Sequence, residues 1–272
     1  MKNEKKKKIV YRDELNDDFA NTNIHAEKIG DSYRYISKNP LWILGEYFLY
    51  YIICPPILYF WSKFRCGLRV EGKEKLKKIK GGYFLFCNHT QMVLDAFHPV
   101  LLSLPKRTYI ITGPEAVSVK GIRKLVKMLG SIPVASTVKG LRNMDAAVRQ
   151  RVESGKVITI YPEAHIWPYY TKVRPFMAGS FRFAVKSQKP CFSATTTYRE
   201  RKILFYKCKR PGITIYLDGP FYPDATLSQK KAEQQLRDEV YFSMIKNSNQ
   251  YVQKEYIEYV KDESNDYVVN DA

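Results

Sequence analysis

From residue 70 onward the chain alternates short β-type runs with amphipathic helical stretches, and this alternation constrains the fold more than any other feature. The β-type runs are YFLFC (83–87), TYIIT (108–112), VITIY (157–161), CFSATTTY (191–198), ILFY (203–206) and ITIYL (213–217). Helical patterns fill 93–104, 115–129, 141–154, 178–187 and 228–246. In the last of these, Ala232, Leu236, Val240 and Met244 recur every four residues behind a Thr226-x-x-Gln229 capping signal. Strands separated by helices pair in parallel through crossovers. The expected fold is therefore α/β: a mixed, largely parallel central sheet flanked by helices. A chain of 272 residues, 45% of them hydrophobic, suffices for one large domain with an appendage.

The appendage is LWILGEYFLYYIICPPILYFW, residues 41–61, the most apolar segment of the chain. It is long enough to enter a bilayer. Glu46 interrupts it, however, and Pro55-Pro56 is expected to break or kink a helix. The segment therefore reads as a membrane-associated helical hairpin over 41–64, lying in the interface, with Trp42, Trp61, Tyr47, Tyr50, Tyr51 and Tyr59 at the headgroup level. A buried core helix is the competing reading. Residues 1–40 read as a polar, basic, loosely packed arm, 65–260 as the α/β domain and 261–272 as a frayed acidic tail. The opening MKNEKKKK runs into acidic sequence where a secretory signal would be apolar, so it is not such a signal.

Forty-five Lys and Arg against 27 Asp and Glu give a formal charge of +18. An excess of this size points to an anionic partner: nucleic acid, anionic lipid or a phosphorylated ligand. The five cysteines are odd in number, scattered and without a C-x-x-C pair, which argues against a disulfide framework or zinc site and suits a reducing compartment. No metal is expected.

The chemistry concentrates in YFLFCNHTQMVLDAFHP, residues 83–99. His89 sits just past a strand, and Asp95 follows six positions later. On a continuous helix that spacing puts the two about 120° apart, out of reach of each other. They meet only if His89 stands on the turn, with Thr90 capping the helix and Asp95 pointing back from its first turn. His98, three residues past Asp95, would share a helical face with it, but Pro99 disfavours helical geometry there and places His98 at a helix end. His89 is the better candidate for a base. By itself the pair is also compatible with a structural histidine.

Three further stretches follow in order: LGSIPVAST (129–137), ITIYPEAHIWPYYTKVRPFMAGSF (158–181) and QKPCFSATTTY (188–198). Together with Asn88-His89 and Asp95 this string resembles the glycerolipid acyltransferase family, which includes the bacterial lysophosphatidic acid acyltransferases. Gly130-Ser131-Ile132-Pro133-Val134 is similar to its second block and Tyr161-Pro162-Glu163-Ala164 to its Phe-Pro-Glu-Gly block. Arg174-Pro175-Phe176 with Gly179 and Lys189-Pro190 resembles its fourth. Three departures matter. Five residues rather than four separate His89 from Asp95, Ala135 and Ser136 stand where the second block ends in an acidic residue and an arginine, and Ala164 replaces a glycine.

The resemblance implies transfer of a fatty acyl group from a thioester to a hydroxyl of a lysophospholipid-type acceptor. Its acyl co-substrate is a coenzyme A or acyl-carrier-protein thioester, with no other cofactor. A neutral imidazole, whose unperturbed pKa is about 6.5, suits proton removal near neutral pH, and a carboxylate on its other nitrogen fixes the tautomer. These roles fall to His89 and Asp95. Pro162 and Glu163 end a strand, where α/β sheets place ligands, and the resemblance implies acceptor binding at Glu163. Lys172 and Arg174, with Lys139 and Arg142, are candidates to hold a phosphate in place of the arginine missing at Ser136. Lysophosphatidic acid is the acceptor favoured by so basic a chain, and the cytoplasmic face of the cell membrane its expected location. Two alternatives stay open. The fifth residue before Asp95 is compatible with a catalytically silent lipid-binding homologue. A basic nucleic-acid-binding protein would leave the 41–61 segment and the Pro-Glu block without a purpose, so nucleic acid is not an expected partner.

Overall fold

In the computed structural model, which describes residues 6–20, 24–203, 206–251 and 253–262, the alternating segments form the expected mixed sheet. Its strands are β2 (Arg69–Glu71), β3 (Tyr83–Cys87), β4 (Thr108–Thr112), β5 (Ser131–Pro133), β6 (Val157–Ile160), β7 (Cys191–Arg199) and β10 (Gly212–Phe221). They lie in the order β2-β10-β7-β3-β6-β4-β5. From β7 to β5 every neighbour is parallel; β10 runs antiparallel to β7, with β2 parallel to β10 at the edge. A second pair, β1 (Lys7–Tyr11) with β11 (Ile257–Lys261), is parallel, and β8 (Lys202–Ile203) with β9 (Tyr206–Lys207) forms a short hairpin.

All five residues of β3 are buried, because both faces of the central strand are covered. Side chains alternate between faces along a strand. Phe84 and Phe86 join a core with Met144 and Val148 of the helix Val138–Glu153 and with Leu236 and Val240 of Gln229–Gln250. Tyr83, Leu85 and Cys87 join the opposite core, with Leu94, Leu102, Ile213 and Ile215. The four-residue repeat of the last helix is its buried stripe. Ser228 stands at that helix's N-cap position without a side-chain cap bond, and the Thr226 hydroxyl donates to Asp224 instead.

The expected hairpin over 41–64 is a single helix, Pro40–Arg65. Asn39 caps its start, accepting from Leu41 and Trp42 N–H, with Pro40 in the first turn. Prolines at 55 and 56 do not break it, because the turn before them widens: Cys54 N–H donates to Leu49 O, five residues back. One face is docked on the domain. Tyr50 and Leu58 pack on Val100, the Tyr50 hydroxyl accepts from Thr108 N–H at 2.8 Å, and Glu46 accepts from Trp42 and Arg107. Glu46 therefore faces the protein. On the opposite face Leu41, Leu44, Phe48, Ile52, Ile57, Phe60 and Phe64 are each more than half exposed.

The arm is not loosely packed either. Tyr11 at the end of β1 and Phe19 beyond it pack on Trp167 with ring centroids 4.7 and 5.2 Å away, and Ile29 and Tyr35 enter the main core. These apolar side chains anchor a segment whose average polarity hides them. Of the acidic tail, Lys261 ends β11 and Asp262 pairs with Arg12; residues 263–272 lie outside the described residues.

Candidate active site

The site sits at the C-terminal edge of the parallel strands. β3 ends at Cys87, and the Asn88 side chain then continues its ladder to β7, accepting from Thr196 N–H at 2.7 Å and donating to Thr196 O at 3.1 Å. This amide mimics a peptide and fixes where the chain leaves the sheet. His89 follows on the turn, as the sequence required.

Asp95 reaches His89 without a helix between them. The segment after His89 makes an exposed turn at Met92 and Val93, and Asp95 lies in the 3-10 turn Leu94–Ala96. Its Oδ2 bonds His89 Nδ1 at 2.8 Å and also accepts the N–H groups of Thr90 and Gln91 at 2.9 and 2.8 Å. Thr90 thus contributes its backbone here, not a helix cap. The next helix, His98–Ser103, begins at His98 with Pro99 in its first turn. His98 is buried, neither ring nitrogen has a partner, and burial lowers its pKa from 6.5 to about 4.

Glu163 ties the third block to His89. Its Oε2 accepts His89 N–H at 2.9 Å and its Oε1 accepts Arg174 N–H at 2.9 Å. Burial pushes the Glu163 carboxyl upward, while Arg174 at 3.6 Å and the two N–H donors pull it back. Both oxygens are thus engaged inside the protein, where the sequence suggested a contact with the acceptor. Pro162 is buried, and its carbonyl accepts Met177 N–H.

The sequence cast Arg174 as a phosphate ligand, and the structure corrects this. Arg174 is 1% exposed; its guanidinium donates to the carbonyls of Glu14, Glu163 and His165 and lies 4.9 Å over the Trp167 ring. A cation so enclosed is a strut. Lys172, Lys139 and Arg142 are exposed, the last two on the first turns of the helix Val138–Glu153 that Thr137 caps. Among the three departures, Ala164 has a φ of 62°, the left-handed region that the family's glycine would occupy freely. The sequence reading gave no role to Tyr161, Tyr198 or Trp167. Tyr198 OH donates to Thr90 Oγ1 and accepts from Gln91 Nε2, both at 2.7 Å, and Trp167 N–H donates to His89 O at 3.1 Å.

With Nδ1 held by Asp95, Nε2 is the ring nitrogen left to exchange a proton. The arrangement can therefore deprotonate a hydroxyl placed against it.

Residues 67–197 match the family model "Acyltransferase". No curated protein matches the sequence. Among solved structures, the crystal structure of the 1-acyl-sn-glycerophosphate (LPA) acyltransferase PlsC from Thermotoga maritima shares the fold, with a TM-score of 0.53 at 14% identity. The match covers 78% of this chain and 89% of that one. Residues 67–197, which include the His89–Asp95 pair, thus form an acyltransferase-family domain.

Proposed function

We propose that this chain moves a fatty acyl group from a thioester to a hydroxyl of a lysophospholipid-type acceptor, with His89 as general base. The observation that carries the reading is the 2.8 Å contact between His89 Nδ1 and Asp95 Oδ2, closed despite five intervening residues. It favours an active enzyme over a silent homologue. The acceptor oxygen attacks the thioester carbonyl carbon while Nε2 takes its proton, and Asp95 steadies the imidazolium. As the tetrahedral intermediate collapses, the C–S bond breaks and the thiolate leaves with that proton. No covalent enzyme intermediate is needed. A coenzyme A or acyl-carrier-protein thioester supplies the acyl group.

Lysophosphatidic acid is the acceptor this reading favours, its phosphate met by exposed cations, with Lys139, Arg142 and Lys172 left as candidates once Arg174 is buried. The reading also places the enzyme at the cytoplasmic face of a membrane. The helix Pro40–Arg65 supports this, because one side is docked on the domain and the other carries a row of exposed apolar side chains. The net charge of +18 adds attraction to anionic lipid.

Purified protein offered one acyl thioester and a panel of lyso acceptors tests the proposal by analysis of the lipid products. Wild type should yield phosphatidic acid and free thiol, and His89→Ala should lower turnover by about 10²–10⁴-fold. Asp95→Asn should be severe as well, and His98→Ala mild. Equal turnover of wild type and His89→Ala would refute the assignment, and preference for an uncharged acceptor would refute the phosphate.

A further inference from the structure

Two places where the chain differs from its family touch each other. Five residues separate His89 from Asp95 where the family has four, and Tyr161 stands where the third block has phenylalanine. The additional length lies in an exposed turn, with Met92 and Val93 50% and 60% exposed and Leu94 and Asp95 buried beside them. Past that turn Asp95 sits in three residues of 3-10 geometry, a conformation with weak internal hydrogen bonding. Something outside it must hold it.

The Asp95 carboxylate is held by His89, Thr90 and Gln91, and its backbone is reached by the side chain of Tyr161. Its hydroxyl donates to the Asp95 backbone carbonyl at 2.5 Å, and its ring lies against the His89 imidazole, centroids 4.4 Å apart and planes 31° apart. Burial raises the phenol well above its ordinary value, so the hydroxyl remains a donor near neutral pH. Phenylalanine would keep the ring contact and lose the bond to Asp95. Two residues further on, Glu163 fixes the His89 backbone in the same way. The segment that leaves β6 therefore holds the backbones of both members of the pair.

We propose that Tyr161 is a positioning residue whose hydroxyl holds the Leu94–Ala96 turn and so accommodates the fifth residue between His89 and Asp95. The kinetic part rests on the acyltransferase reading above; the geometric part does not.

The test combines Tyr161→Phe with deletion of Met92, which restores a four-residue spacing, in the full chain. Tyr161→Phe alone should lower kcat about tenfold through misplacement of the base, leaving both KM values nearly unchanged. In the Met92-deleted chain the same substitution should cost less than about twofold, because the two changes act on one element. A downfield proton resonance of the His89–Asp95 bond, present in wild type, should weaken in Tyr161→Phe. Unchanged kcat and resonance in Tyr161→Phe would overturn the proposal, as would an equal cost in both backgrounds. A lower Tm with kcat and resonance intact would mark a merely structural tyrosine and also overturn it. If the deleted chain fails to fold, the resonance in Tyr161→Phe decides. If wild type transfers no acyl group at all, the catalytic reading fails while the resonance still decides the role of Tyr161.

Discussion

Arg174 and Glu14, 160 positions apart, are joined by a 3.0 Å hydrogen bond from the guanidinium to the backbone carbonyl. Through it the amino-terminal arm closes over the buried Arg174–Glu163 pair, and Glu163 in turn holds the backbone of His89. The arm is therefore connected to the base by a short series of bonds.

Arg174→Ala should act on stability and not on acceptor recognition. It leaves Glu163 buried without its cation, a change that typically costs about 3–5 kcal/mol. Denaturant melts should show the loss. A two-substrate titration should show kcat reduced with acceptor and donor KM shifted alike. A selective rise in acceptor KM would restore the phosphate role that burial argues against.

Acid should weaken the protein through His98. Its folded pKa is depressed from 6.5 to about 4 by burial, so the neutral form is favoured in the fold. The stability this provides is fully present above pH 6.5 and is lost as pH falls toward about 4. A shift of that size corresponds to about 3 kcal/mol. Comparing urea midpoints of wild type and His98→Phe between pH 7 and pH 4 isolates it: the slope with pH should be shallower in the variant.

Ala164→Gly should stabilise the protein by about 0.5–1 kcal/mol. The residue is exposed and holds a φ of 62°, where a Cβ is strained and glycine is not. The gain is reduced by glycine's extra freedom in the unfolded chain. A rise in Tm with unchanged kcat is expected, and a fall would show that the Ala164 methyl makes a contact worth more than the strain.

Replacing Phe48, Phe60 and Phe64 together by Gln should release the protein from anionic liposomes in a flotation assay. Each buried aromatic contributes about 1.5–3 kcal/mol, so the triple variant should lose at least two orders of magnitude in partitioning. Wild type should stay bound in high salt, whereas charge alone would not survive it. A soluble full-length wild type would contradict the membrane reading. The docked face, built on Tyr50 and Glu46, is left untouched and the fold should persist.

Legibility of this chain followed the range of the interactions. β3 and β6 stood out because a strand buried on both faces is a continuous apolar run. β2 and β5 did not, since three residues, Arg69–Glu71 or Ser131–Pro133, carry no period. Pairing of β1 with β11 depends on partners at opposite ends of the sequence, which no local pattern reports. The His89–Asp95 pair was visible as a possibility. Its closure relies on the N–H groups of Thr90 and Gln91 and on a 3-10 turn, and backbone donors have no residue signature. Arg174 was misread because a basic residue inside a motif suggests a ligand, and only burial reveals that its partners are carbonyls. Prolines 55 and 56 suggested a break because the clash of a proline ring is reckoned against a regular α-helical turn, and the turn before them is wider.

The pairing of β1 with β11 also sets an order of events during synthesis. Arg12 and Asp262, which flank the pair, lie 250 positions apart, so an arm made first waits roughly 10–50 s for its partner at ordinary elongation rates. Until then Trp167 lacks Tyr259, which stacks on it 5.0 Å away, and the cover over Arg174 is incomplete. Closing so distant a contact is also the costliest loop in the molecule. The frame around His89 is thus completed by the last of the described strands to emerge, and a nascent or truncated chain lacking β11 would present this site unfinished.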